Sequence, residues 1–99
     1  MSTFQELISG ETPVLVDFFA TWCGPCHALA PTLEQLAAEE KDRLKIIKVD
    51  VDKNPQAAAA FQVSGVPTLM LFRKGEALWR QSGVLPLHQL KAALSPYLN

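Results

Sequence analysis

The chain has 99 residues, 48% hydrophobic and 19% charged, a composition that suits a packed globule of about one small domain. Nine Lys and Arg against ten Asp and Glu give a formal net charge of −1 with no run of like charges, which leaves no electrostatic footprint for nucleic acid or an anionic membrane. No stretch approaches the roughly 18 apolar residues that span a bilayer, and no basic segment precedes an apolar run at the N-terminus, so a cytoplasmic, untethered protein is expected.

Thr3-x-x-Glu6 has the form of a capping box, with Phe4, Leu7 and Ile8 following at helical spacing, so a short first helix should end near Ser9. Residues 13 to 20, PVLVDFFA, make a nearly continuous apolar run, the pattern of a strand covered on both faces, interrupted only by Asp17. From Pro25 to about Glu40 an apolar stripe of Cys26, Leu29, Ala30, Leu33 and Ala37 predicts a helix, kinked near Pro31 because that proline cannot donate to the His27 carbonyl. RLKIIKVDVD, residues 43 to 52, reads as a second strand. The strand-helix-strand order implies parallel pairing through a right-handed crossover.

Asn54-Pro55 should cap a short Ala-rich helix reaching Phe61. Residues 67 to 73 and 76 to 81 flank Lys74-Gly75, a two-residue hairpin connection that makes these strands antiparallel. A last helix starts at Pro86, with Leu87, Leu90, Leu94 and Leu98 on one side. The expectation is one α/β domain over residues 1–99 with a four-stranded mixed sheet flanked by helices.

Both cysteines lie in WCGPC, at the turn where the first strand feeds the second helix. Such turns form the carboxyl edge of a sheet, where α/β folds carry their sites. Three readings compete. A structural disulfide is disfavoured in a reducing compartment, and a bridge closing so few residues restrains the unfolded chain little. A structural zinc site generally takes four ligands, but the chain offers two Cys and two His, with His88 on a different helix from His27, so no metal is expected.

A redox pair fits the position better. Just ahead of the helix, Cys23 can meet free backbone N–H groups and the positive end of the helix dipole, which favour a thiolate, so Cys23 is the expected nucleophile. Cys26 belongs to the apolar stripe, points inward and is the expected resolving thiol. Gly24 permits close backbone approach and Pro25 stiffens the turn. No bound cofactor is expected beyond a redox-active Cys23–Cys26 disulfide.

WCGPC within VDFFATWCGPCHALAP, followed by VPTLMLFRKGE, resembles the thioredoxin family, in register over roughly residues 13 to 98. The resemblance implies the thioredoxin fold and a monomeric protein-disulfide reductase. Its partners would be disulfide-containing substrate proteins and a thioredoxin reductase, an NADPH-dependent flavoprotein or a ferredoxin-linked enzyme. It places the nucleophilic and resolving cysteines on Cys23 and Cys26, and the buried acid on Asp17, which could take the Cys26 proton. The lysine neighbour falls on Lys48, which either pairs with Asp17 or reaches to the surface. A cis-proline falls on Pro67, beside a Val66 that can offer backbone groups to an extended substrate. Trp22, Gly24, Pro25, Gly65, Val66, Gly83 and Val84 map onto a shallow docking surface around Cys23.

The chain departs from the family pattern in places. The family's first strand is expected to be missing, which would leave an edge beside residues 44 to 50, where Lys45 and Lys48 could deter association. His27 stands where a lysine is common, either tuning thiolate formation or simply solvated. Phe19 replaces a frequent tryptophan and Trp79 is extra, both read as packing, while Leu85 leaves the last helix without a polar cap. The rival functions are an oxidant or isomerase on the same fold, and a binding module in which the cysteines matter little.

Overall fold

The computed structural model describes residues 3–98; residues 1, 2 and 99 of the expected domain lie outside the described residues. The Thr3 hydroxyl accepts from the Glu6 N–H at 3.1 Å, and the Glu6 carboxylate accepts from the Thr3 N–H at 3.0 Å. This capping box opens α1, Phe4–Ile8. The apolar run becomes β1, Val14–Phe19, which is buried along nearly its whole length because it is a central strand. Helix α2, Gly24–Glu39, buries Cys26, Leu29, Leu33 and Leu36 and continues unbroken through Pro31.

The chain returns as β2, Lys45–Asp50, parallel to β1, then forms α3, Pro55–Ala60, and the hairpin of β3, Thr68–Arg73, and β4, Glu76–Ser82. Lys74 and Gly75 both adopt left-handed backbone, with φ of 54° and 80°, as a two-residue hairpin turn that follows the strand twist requires. Helix α4, Leu87–Leu94, and a 3-10 turn, Ser95–Tyr97, close the fold. The strand order β2-β1-β3-β4, with β1 and β3 antiparallel, makes a four-stranded mixed sheet flanked by helices. Among the described residues no strand lies beyond β2.

Strand alternation divides the core in two. One face carries Leu15, Leu69 and Leu71 against Leu29, Leu33 and Leu36 of α2 and Leu90 and Leu94 of α4. The other carries Val14, Val16, Phe18, Met70 and Phe72 under α1 and α3, where Phe4 and Phe61 meet Phe72 edge-on at centroid distances of 6.0 and 5.0 Å. Trp79 packs half-buried against the first cluster.

Two details differ from the sequence expectation. Asn54 precedes α3 without a side-chain cap; its amide instead donates to the Asp50 carbonyl at 3.1 Å, tying down the loop after β2. Leu98 does join the core, but from beyond the 3-10 turn, since α4 ends at Leu94.

Candidate active site

Strand β1 delivers the chain to the sheet edge, and α2 begins there, so both cysteines sit at that junction. Cys23 is the N-cap of α2, in extended backbone, with its own N–H donating to the Ala20 carbonyl at 3.2 Å. Its sulfur accepts the Cys26 N–H at 3.1 Å, the place a serine or aspartate oxygen takes in an ordinary cap. Any negative charge that develops on Cys23 Sγ therefore meets an N–H donor and the positive end of a 16-residue helix. The two sulfurs are joined as a disulfide.

Burial does not separate the two cysteines. Cys26 is shielded as its stripe position requires, at 6% exposure, but Cys23 is only 3% exposed. In the disulfide form the loop of Val66 covers Cys23, whose sulfur is 3.7 Å from the Val66 carbonyl oxygen. What distinguishes Cys23 is its capping position rather than its exposure.

The Val66–Pro67 peptide bond is cis. Its loop is fastened to the end of β4: Gly83 N–H donates to the Pro67 carbonyl at 2.9 Å, and the Thr68 hydroxyl bridges the Gly65 carbonyl at 2.6 Å and the Ser82 hydroxyl at 3.1 Å. These bonds carry Gly83 and Val84 to the same edge as Cys23. Trp22 and Val84 are two of the three exposed large hydrophobics among the described residues, Trp22 at 71%. A shallow hollow of about 100 Å³ runs between Trp22, Val51, Val63, Ser64, Gly65 and Val66. Gly24 and Pro25 are exposed outside that hollow, and a Cβ at Gly24 would meet nothing within 4 Å, so the approach to the turn is open.

Sequence reasoning missed the partner of Trp22. Its indole N–H donates to Asp52 at 2.8 Å, fixing an otherwise exposed ring. Asp52 is itself placed by a turn in which Asp50 accepts from the N–H groups of Asp52 and Lys53, at 2.9 and 3.4 Å. Only the acids of VDVDKN hinted at such a turn, and nothing in the sequence linked them to position 22.

Asp17 lies in the middle of β1 at 1% exposure, on the face shared with Leu15 and covered by α2, the helix that carries Cys26. Its Oδ1 has no hydrogen-bond partner among the described residues. Burial pushes its pKa up to about 6, and the nearby charge of Lys48 opposes that rise only in part. Lys48 is the residue opposite Asp17 in the β1–β2 register. Of the two readings of this lysine, the structure has the outward one: its side chain is exposed, with the ammonium 5.1 Å from the centroid of the Phe19 ring. No ion pair joins it to Asp17 among the described residues.

The family model described as Thioredoxin matches residues 1–96. Thioredoxin 1 of Chlorobaculum tepidum is 51% identical over 90 residues, which cover 90% of this chain and 89% of that protein. The chain belongs to the thioredoxin family. Thioredoxin of Alicyclobacillus acidocaldarius is 42% identical over 98 residues, covering 99% of this chain and 93% of that protein. The bifunctional thioredoxin reductase/thioredoxin of Mycobacterium leprae is 49% identical over 82 residues, 83% of this chain but 18% of that protein.

A cysteine pair at bonding distance, in a turn of thioredoxin form, fits the redox-active site of a thiol-disulfide oxidoreductase. Among the described residues no group of three or more His, Cys, Asp or Glu is arranged to hold a metal. Among the same residues no helix is long and apolar enough to cross a membrane.

Proposed function

We infer that the chain acts as one thioredoxin-type domain that reduces protein disulfides through the Cys23–Cys26 dithiol. The observation that carries this is Cys23 at the N-cap of α2, its sulfur accepting the Cys26 N–H at 3.1 Å. A thiolate on Cys23 attacks one sulfur of a substrate disulfide, forming a Cys23–substrate bond while the other substrate sulfur leaves as a thiolate and takes a proton. Cys26 then loses its proton to Asp17 and attacks Cys23 Sγ. The mixed disulfide breaks, the second substrate sulfur leaves with the electron pair, and Cys23 and Cys26 are left bridged.

Asp17 suits the proton-transfer role because it is buried, ionises near neutral pH and has an oxygen with no partner among the described residues. Lys48 modulates that acid by charge from the neighbouring strand, since its location lowers the Asp17 pKa. Trp22, Gly24, Pro25, Gly65, Val66, Gly83 and Val84 form the surface on which a substrate docks, and Pro67 holds the Val66 carbonyl beside Cys23. In this reading the electrons reside in the cysteine pair, with no bound cofactor. A cytoplasmic monomer serving cell redox homeostasis and electron transport completes the reading.

A thioredoxin reductase recycles the disulfide, a partnership supported by the relative whose name joins the two activities. Turnover of insulin disulfides by catalytic amounts of the protein, with NADPH and a thioredoxin reductase, is the test. Continuous NADPH consumption that stops in a Cys23→Ser variant is expected; none in the parent leaves an oxidant or a binding module.

A further inference from the structure

His27 is the residue of the active-site turn that the mechanism leaves without a task. It stands in the first turn of α2, exposed, with its ring turned back along the chain so that Nε2 lies 2.9 Å from the carbonyl oxygen of Thr21. A carbonyl only accepts, so Nε2 carries the hydrogen and donates. The bond therefore joins two residues that bracket Trp22, Cys23 and Cys26. Backbone bonds also hold the turn, from Cys23 N–H to the Ala20 carbonyl at 3.2 Å and from His27 N–H to the Cys23 carbonyl at 3.3 Å, but Thr21 and Trp22 are exposed, and the Trp22 indole bonds away from α2, to Asp52.

Among the described residues two links besides His27 fasten the turn to α2 through side chains, and both use sulfur. One is the Cys23–Cys26 bond and the other is the Cys26 N–H to Cys23 Sγ contact. The covalent link is absent whenever the pair is a dithiol or Cys23 is joined to substrate. The sulfur contact moves with Cys23. The His27 bond involves no sulfur, so its atoms survive every stage, but it is stronger where the disulfide already holds the turn against α2 than in the freer dithiol.

We propose that His27 is a positioning residue: its hydrogen bond to the Thr21 carbonyl holds the Cys23 turn against α2 when the disulfide is open, keeping the two sulfurs within reach of each other. The proposal rests on the dithiol reading above. The disulfide has already given up the chain freedom that this bond costs the open dithiol, so the bond raises the effective concentration of one sulfur at the other and favours ring closure over the open dithiol. Its removal should make the protein a weaker reductant. An exposed hydrogen bond sits at the low end of the usual range, which corresponds to about threefold in an equilibrium constant when its worth in the dithiol is largely offset by the chain freedom lost.

The measurement is the equilibrium of the Cys23–Cys26 pair against glutathione buffers, read by mass after thiol alkylation, for the parent, His27→Leu and His27→Gln. Leucine removes the donor, whereas glutamine offers an amide N–H at nearly the same reach. The leucine variant should shift about threefold toward the dithiol, or about 14 mV at 29.6 mV per tenfold, with glutamine staying near the parent. A leucine variant that titrates with the parent overturns the proposal, as does a glutamine variant that shifts as far as leucine. Insulin turnover by the parent, run alongside, keeps the two readings apart: its failure defeats the reductase function while the titration still decides the tether.

Discussion

Asp17 is a charged group where the physics of β1 calls for an apolar one. At 1% exposure and with its pKa pushed up to about 6, its carboxylate is held at a cost that a neutral side chain there does not bear. The group ionises at 3.8 in the unfolded chain, so its protonated form is favoured by folding. The associated stability is fully present below that pH, falls as pH rises through about 6 and is absent above it. Asp17→Asn should therefore raise stability at pH 8 by about 2 to 3 kcal/mol, with little change near pH 3. The same substitution removes the proposed proton acceptor of Cys26. The resolving step should slow at least about tenfold at pH 7, and its dependence on a group ionising near pH 6 should vanish. Denaturant titrations at the two pH values and single-turnover reduction check both halves; a variant that is less stable at pH 8, or as fast as the parent, contradicts this account of Asp17.

At the scale of elements, α2 does the most to place the chemistry, because one helix presents Cys23 at its cap, Cys26 in its first turn and Leu29, Leu33 and Leu36 beneath. Leu36 is fully buried in the leucine cluster that also holds α4 to the sheet. Leu36→Ala should cost about 2 to 5 kcal/mol through lost burial and the cavity left behind. Urea unfolding should show the midpoint falling with an unchanged slope, and a loss below about 1 kcal/mol means that α2 is not anchored there. Most elements were legible because each carries its own period or punctuation: the capping box of Thr3 and Glu6, the apolar run of β1, Lys74-Gly75 between two strands. Asn54 was misleading for a local reason. An asparagine before a proline reads as a cap through its Oδ1, but here its Nδ2 donates to the Asp50 carbonyl, which turns the side chain back toward the end of β2.

Across the whole molecule, the sheet order brings three separate stretches to one edge: the WCGPC turn, the cis Val66–Pro67 loop and the Gly83–Val84 segment after β4. The sequence alone marked Cys23, Cys26 and Asp17, since a cysteine pair at a strand-to-helix turn and an acid inside an apolar run are local anomalies. Pro67 and the docking residues came from the family resemblance, because no periodicity tells which loops will meet. The Trp22–Asp52 bond was out of reach for the same reason, spanning 30 positions between two turns. The near-equal burial of the two cysteines was also hidden, since the cover over Cys23 comes from Val66, 43 positions away. The central claim is that capping makes Cys23 the attacking sulfur and leaves Cys26 to resolve. It is tested most directly by trapping with a disulfide-bonded protein substrate, followed by mass analysis of the adducts. Cys26→Ser should accumulate a mixed disulfide through Cys23, and Cys23→Ser should accumulate none; stable adducts through Cys26 in the Cys23→Ser protein would contradict the assignment.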